Sequence, residues 1–391
     1  MKKLFLFSCI FLATVLIWAT QDERTVGIHG PIITVDQRAT RSIKIQWLAR
    51  GAVSFSYRQQ ESGSWREQEA TRSPFGESDH QVYRVALQDL EPDQIYEIRI
   101  GDNSYKVRTL PEAAAALSFA VGGDMMHESE MLERTTKMLA RHSPAFAVLG
   151  GDFAYANGKE AKRWVAFLDA WARSAITPEG LLIPAIVVIG NHEVRGGYEK
   201  SPAEAPFFYS LFSLPERSSN YTVDIGRNLS FFLLDSNHTQ RVEQQKAWLE
   251  QALSERKYRS FLFPVYHYPA YGILKKGLMN WKSQDIRTHW VPLFERYGVR
   301  IAFEHDHHIY KRSRRIRGEA LDEQKGITYI GDGAYGVNTR TLPENWRDLW
   351  YVAQAASQRH FLLVSLRRSS IRVDAINETG ETIDTYIDER I

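Results

Sequence analysis

A chain of 391 residues is long enough for two or three domains. Its apolar fraction of 43% and charged fraction of 25% are those of an ordinary globular protein, which excludes a disordered or fibrous chain. With a formal net charge of +2, nothing points to a dedicated nucleic-acid binder.

The chain opens with Lys2 and Lys3, an apolar run from Leu4 to Trp18, and polar Gln21-Asp22-Glu23-Arg24. This layout predicts a secretory signal peptide over residues 1–20, cleaved near Ala19 or Thr20, and hence export to the periplasm or the cell exterior. An uncleaved anchor is the alternative, but the run is shorter than the roughly 20 residues of a spanning helix. No other segment is long and apolar enough to span a membrane. The only cysteine, Cys9, lies inside this leader. A cleaved chain would have no disulfides, thiolate nucleophiles or cysteine metal ligands.

Residues 25–110 read as an all-β domain. Short alternating runs, Ile43–Trp47, Val53–Tyr57 and Tyr83–Leu87, are separated by polar turns, a spacing that predicts a sandwich. Leu90-Glu91-Pro92-Asp93-Gln94-Ile95-Tyr96 resembles the corner motif of fibronectin type III domains, with Trp47 as the core tryptophan. Pro111–Ala116 reads as a linker.

Residues 115–391 have a different rhythm. Apolar runs at Leu117–Val121, Ala145–Leu149, Ile183–Ile189, Ser230–Leu234, Ser260–Val265, Val299–Phe303 and Ile327–Ile330 predict strands. Helices are predicted at Glu128–Ala140, Ala161–Arg173, Val242–Glu255 and Trp290–Tyr297. Trp164, Phe167, Leu168 and Trp171 recur at helical spacing and predict a core stripe. Strands alternating with helices imply a layered α/β domain. From about residue 331 the chain is β-rich, with a hairpin expected from His360–Ser365 and Ser370–Ala375.

The chemistry sits at the strand ends. Five apolar runs lead into Gly123-Asp124, Gly151-Asp152-Phe153-Ala154-Tyr155, Gly190-Asn191-His192-Glu193, Tyr266-His267 and Glu304-His305-Asp306-His307-His308. In an open α/β sheet the C-terminal strand ends share one edge, where ligands bind. The glycines are expected to let the backbone turn sharply there. Carboxylates, imidazoles and an amide without thiols suit Fe, Mn, Zn or Mg. The donors exceed what one cation needs, and two cations about 4 Å apart with a bridging carboxylate account for them. Taken singly, each residue has an ordinary explanation: Asp124 or Asp152 as a helix cap, Asn191 as a turn residue, His267 as a buried histidine, Tyr155 as core.

In this order the motifs resemble those of calcineurin-like metallophosphoesterases, and Tyr155, three residues after Asp152, resembles purple acid phosphatases in particular. The resemblance covers about Leu117 to Ile330, and a fibronectin-like front domain is similar to that of the plant-type members. It implies a layered metallophosphoesterase β-sandwich flanked by helices, behind an all-β fibronectin III-like sandwich. It also implies two metal ions, with Fe(III) at the tyrosine site and Fe, Mn, Zn or Mg at the second. Asp124, Asp152, Tyr155 and a late histidine would hold the first metal, with Asp152 bridging. Asn191, His267 and another late residue would hold the second. His192 would contact phosphate and help protonate the leaving oxygen, while a metal-bound hydroxide attacks phosphorus in line. The substrate implied is a small phosphorylated compound.

Two departures from the family pattern matter. An ungapped match to its late motif, Gly-His-x-His-x-Tyr, puts Asp306 and His308 at the ligand positions. His305 and His307 have the right mutual spacing one residue early, and a one-residue shift reverses side-chain direction in extended chain. The expectation is Asp306 and His308. The other departure is His127, three residues after Asp124 rather than two, which is read as a substrate-side or surface residue. Asn191, His192, His127 and Arg195 form the expected substrate-binding set, with Arg195 either steering phosphate or standing as a solvated surface arginine.

An acid phosphatase-type phosphomonoesterase is the leading reading. A phosphodiesterase or nucleotide hydrolase is the alternative, since the loops Arg195–Leu214 and Ala270–Asp285 are long and aromatic-rich. A non-catalytic surface-binding protein retaining the fold is the reading from another class.

Overall fold

The computed structural model describes residues 27–390 except 36–38, 62, 113–115 and 332. The expected leader over residues 1–20, with Cys9, and the middle of the expected linker lie outside the described residues. No helix among the described residues is long and apolar enough to cross a membrane.

Two large sheets face each other. The first has the strand order Thr382–Asp388, Ser370–Asn377, His360–Arg367, Ala116–Gly122, Ala147–Leu149, Ala185–Val187, and then continues into the front region. The second runs Tyr221–Ile225, Leu229–Leu234, Phe261–Tyr266, Ile301–Glu304, Thr328–Gly331, Tyr310–Ser313, Val352–Ala356. The central strands of both are parallel, so their C-terminal ends share one edge of each sheet.

Strands buried on both faces explain the continuous apolar runs in the sequence. Between the sheets, Phe119, Val121, Val148 and Ile186 of the first pack against Phe231, Phe263, Val265 and Phe303 of the second. Phe119 stacks on Phe146 at 5.1 Å and meets Phe231 edge-on at 5.2 Å. The helices Ser129–Ala140 and Ala161–Ser174 cover the outer face of the first sheet. Trp164, Phe167, Leu168 and Trp171 are all buried there, as their spacing predicts. The helices Lys246–Arg256, Trp281–His289 and Val291–Arg296 cover the second. The result is a helix–sheet–sheet–helix sandwich.

The segment after residue 331 is not an appendage. Val352–Ala356 closes one edge of the second sheet, and His360–Asp388 supplies three strands of the first. His360–Arg367 pairs antiparallel with Ala116–Gly122, the strand that leads to Asp124.

Residues 27–110 fold as two packed β-layers. His29–Thr34, Ile43–Ala49, Gln81–Leu87 and Thr71–Pro74 face Arg66–Glu67, Phe55–Gln59, Ile95–Ile100 and Asn103–Arg108. Trp47 is fully buried between them, stacked on Phe55 and Tyr83. Tyr96 Oη accepts the Glu91 N–H at 2.9 Å, tying the corner that the sequence suggests. The front layer joins the first large sheet directly, because Thr34 pairs with Ala185. A His29–Asp169 contact of 2.9 Å and the Phe75–Phe207 ring pair at 5.0 Å reinforce the junction.

Candidate metal centre

Three motif loops leave parallel strands of the first sheet and two leave parallel strands of the second, and their side chains converge. Asp124, Asp152 and His267 each offer a ligand atom within 4.8 Å of the others, and all three are buried. His308 Nε2 lies 2.9 Å from Asp124 Oδ1. The Tyr155 hydroxyl donates to Asp124 Oδ1 at 2.9 Å and is 2.9 Å from His308 Nε2. On the other side of Asp152, His267 Nε2 is 3.3 Å from Asp152 Oδ2 and 3.7 Å from Asp306 Oδ1. Asn191 borders this second half, since the next residue donates its backbone N–H to Asp152 Oδ1 at 2.7 Å. Its own Oδ1 accepts the Tyr198 hydroxyl at 3.1 Å.

The backbone that achieves this is strained. Asp124, Asp152, Tyr155, Asp306 and His308 all have positive φ, at 58°, 56°, 51°, 77° and 55°. For residues with a Cβ this region costs roughly 1–2 kcal/mol each, and such strain collects at functional sites. The glycines act differently from expectation. Gly151 does turn with φ 96°, but Gly123 and Gly190 do not have positive φ. They provide space: a Cβ on Gly123 or Gly150 would meet the His305 ring at 2.6 or 2.0 Å, and one on Gly190 would meet Asp152 Oδ1 at 2.4 Å.

The late cluster divides into the two pairs the sequence offered, although the chain is not extended here, Asp306 and His308 having φ of 77° and 55°. Asp306 and His308 face the centre. His305 turns under Gly123 and Gly150, and burial lowers its pKa to about 3, which keeps it neutral. His307 turns towards Gly272, with Nδ1 3.3 Å from the Leu274 N–H.

Glu193 is the principal organiser. Its buried carboxylate accepts the backbone N–H groups of Asp152, Phe153 and Gly190 at 2.7, 2.9 and 2.8 Å. It clamps two motif loops together, although burial and the neighbouring Asp152 raise its pKa to about 8. Glu193→Gln places an amide NH₂ against backbone donors. It should lower the unfolding free energy by about 1–3 kcal/mol in urea titrations. By displacing Asp152, it should also cut turnover roughly 10–100-fold.

The expected substrate-side residues separate. His192 lies over the centre: its ring is 4.3 Å from that of Tyr155, and its Nδ1 is 2.5 Å from Asn157 Oδ1. The Nδ1 contact leaves Nε2 directed elsewhere, 3.9 Å from Asp152 Oδ2. His127 borders the Tyr155–His308 half, with ring distances of 4.5 and 5.5 Å. Arg195 does not reach the centre. Its Nε donates to Gly158 O at 2.9 Å and its guanidinium pairs with Glu77 of the front region at 3.3 Å. A long side chain two residues after a motif has no fixed direction, and here a carboxylate from a remote segment captures it. Asn157, Tyr198 and Lys275 were missed from the sequence. For Tyr198 and Lys275 the aromatic character of their loops pointed that way; for Asn157 no signal did.

The donor set fits cations. The His267 Nδ1–H donates to Gly150 O at 2.8 Å, which fixes the tautomer and leaves the Nε2 lone pair facing carboxylates. Nε2 makes no hydrogen bond of acceptable geometry despite complete burial. A lone pair aimed at Asp152 and Asp306 needs a cation between them. A proton is one answer: although burial alone would lower it, the His267 pKa is pushed up to about 10 by Asp152 and Asp124. A metal ion is the other, and His267 holds the secondary hydrogen bond that metal-binding histidines carry.

Comparison with known proteins agrees. Two Mycobacterium tuberculosis proteins, both described as uncharacterized, MT2654 of strain CDC 1551 and Rv2577 of strain H37Rv, are 25% identical over 246 residues. That alignment covers 53% of this chain and 45% of theirs. The chain thus spans less than half the length of these relatives. Among solved structures, purple acid phosphatase PPD1 from yellow lupin seeds superposes with a TM-score of 0.76 at 15% identity, covering 93% of this chain and 75% of that one. PhoD superposes with a TM-score of 0.67 at 12% identity, covering 93% of both. At such identities the likeness shows the fold, a layered metallophosphoesterase sandwich with an additional β-rich front region. Residues 117–329, more than half of the chain, match the sequence family of calcineurin-like phosphoesterases, and the chain belongs to that family.

Proposed function

We propose that this centre hydrolyses phosphate monoesters as a purple acid phosphatase does. Asp124, Tyr155 and His308 would hold Fe(III), and Asn191, His267 and Asp306 would hold Fe, Mn, Zn or Mg. Asp152 would serve both. Two bound cations supply neutralisation of the charge that develops on phosphate oxygens, and they acidify water from a pKa of ~15.7 to about 7. The observation that carries the reading is the His267 lone pair, buried and aimed between two carboxylates, with Tyr155, His308 and Asp124 in mutual contact beside it.

The remaining chemistry belongs to the chain's own residues. His192, with Nδ1 anchored on Asn157, offers Nε2 to deliver a proton to the leaving oxygen. His127 lines the side towards the tyrosine. Its pKa falls to about 4, chiefly through burial and then through His308, so near neutral pH it meets phosphate as a hydrogen-bonding neutral ring. The Tyr155 phenol is pushed well above its usual pKa by burial and by Asp124. It gives up its proton only to a strongly charged cation, since a bound ion inverts the local pKa balance.

Tyr155 therefore supplies the test. Purified protein loaded with iron should show a visible tyrosinate-to-Fe(III) absorption band, and Tyr155→Phe should abolish it. A colourless iron-loaded protein would defeat the iron assignment. Comparing turnover of p-nitrophenyl phosphate and bis-p-nitrophenyl phosphate separates monoesterase from diesterase action.

We also assign residues 27–110 as a fibronectin III-like sandwich, supported by buried Trp47 and the Tyr96 corner. The leader-like residues 1–20 support an exported enzyme.

A further inference from the structure

On the second-cation side of the centre lies a lysine that the proposed chemistry does not use. Lys282 is half-buried, and its Nζ sits 3.9 Å from the Tyr198 ring centroid and 4.6 Å from that of Tyr268. Tyr198 is the residue whose hydroxyl holds Asn191, and Tyr268 follows His267. Among the described residues no carboxylate lies within ion-pair distance of Lys282. The charged groups that act on it are Asp306 and another lysine, Lys275. Burial is the first cause that lowers its pKa.

The helix start does not favour a cation. Lys282 lies in the first turn of the helix Trp281–His289, where Asn280 caps the Lys282 N–H. Helix N-termini favour anions, so a partly desolvated ammonium there is held against the helix dipole. Aromatic faces stand around the ammonium in place of a carboxylate, Trp281 at 5.3 Å being the third, so it is held in position with its charge un-neutralised.

Lys275 stands beside it. Its Nζ is 2.6 Å from Asp306 Oδ2 and lies 5.8 Å from the same Tyr268 ring. Asp306 thus turns one oxygen to His267 and the other to Lys275. Lys275, Lys276 and Gly277 have φ of 53°, 73° and 52°, so a strained turn presents Lys275 to the centre.

We propose that Lys282, assisted by Lys275, forms an anion subsite on the Asn191–His267–Asp306 side that binds a second phosphate group of the substrate. This rests on the phosphoesterase reading and narrows it to phosphoanhydrides and doubly phosphorylated compounds. Lys282 brings an ammonium that no carboxylate among the described residues neutralises, and Lys275, paired with Asp306, adds a neighbouring N–H donor; lysine serves phosphate as a point charge. With inorganic pyrophosphate the balance is simple. The oxygen of water bonds to one phosphorus, the bridging P–O bond breaks, and the other phosphate leaves with that electron pair and takes up a proton.

The test compares metal-loaded wild type, Lys282→Met and Lys282→Arg on inorganic pyrophosphate and p-nitrophenyl phosphate. The ratio of kcat/KM for pyrophosphate to that for the monoester should fall about tenfold or more in Lys282→Met, the loss expected for one charged contact, through KM. Lys282→Arg should recover most of it. A fall smaller than about fivefold, or an arginine variant as impaired as the methionine one, overturns the proposal. Calorimetric titration with methylenediphosphonate gives a readout apart from turnover: Lys282→Met should bind it about tenfold more weakly, and an unchanged Kd overturns the subsite. If wild type turns over neither compound, the phosphoesterase reading fails instead, and the titration still decides the subsite.

Discussion

Asp152→Asn should lower kcat/KM for p-nitrophenyl phosphate on the order of 10³-fold, because it removes several kcal/mol of charge balance at the point both cations would share. The side chain is buried between the two halves of the centre. Its Oδ1 accepts the His192 N–H and its Oδ2 faces His267. Asparagine keeps the volume, can still accept the His192 N–H, and tolerates the positive φ of 56° at this position. The variant should therefore fold, and its loss should be chemical. Metal analysis should show a reduced metal-to-protein ratio. Near-normal turnover with a full metal complement would contradict the assignment of Asp152 as the shared ligand.

Lys311→Met should lower the unfolding free energy by about 3–5 kcal/mol, the cost of stranding one member of a buried ion pair. Lys311 Nζ contacts Glu304 Oε2, and both side chains are fully inaccessible. Glu304 also accepts the Tyr266 hydroxyl at 2.8 Å and the Ala270 N–H at 2.7 Å. The pair thus ties together the strand ends that carry His267 and Asp306. Methionine fills the lysine volume, which leaves the uncompensated Glu304 charge as the main loss. The double variant Lys311→Met, Glu304→Gln should cost less than its two single variants added together, because neither charge is then stranded. Urea unfolding of all three variants measures this. A single-variant loss below about 1 kcal/mol would show that water or rearrangement compensates Glu304.

These effects separate two kinds of residue. Asp152 and its partners carry charge to the reacting group. Glu193, Glu304 and Lys311 hold the loops that carry them. The second kind was only partly visible in the sequence. Glu193 lies beside a motif, but its three backbone partners come from two loops separated by about forty residues. Nothing in a run such as Tyr310-Lys311-Arg312 distinguishes a buried cation from a solvated one.

The helix Trp281–His289 was also missed, because its sequence WKSQDIRTH has almost no apolar periodicity. Tertiary contact decides it: Ile286 and Ser283 alone are buried along its length, and Asn280 caps its start. That unrecognised helix places Lys282 beside the centre.

Much of the architecture follows from sequence alone. Period-2 and continuous apolar runs set the strands, the Trp164–Trp171 stripe sets a core helix, and acidic or imidazole groups at five strand ends locate the chemistry. These features are local, and local backbone preference with burial is enough to specify them. Direction is different. Asp306 and His308 point to the centre, His305 and His307 away from it, and Arg195 towards Glu77. Residues 331–390 complete both sheets rather than forming a unit of their own. Those outcomes depend on left-handed backbone angles and on partners from remote parts of the chain. Only the assembled fold supplies the packing energy that holds such strained angles and brings such partners together.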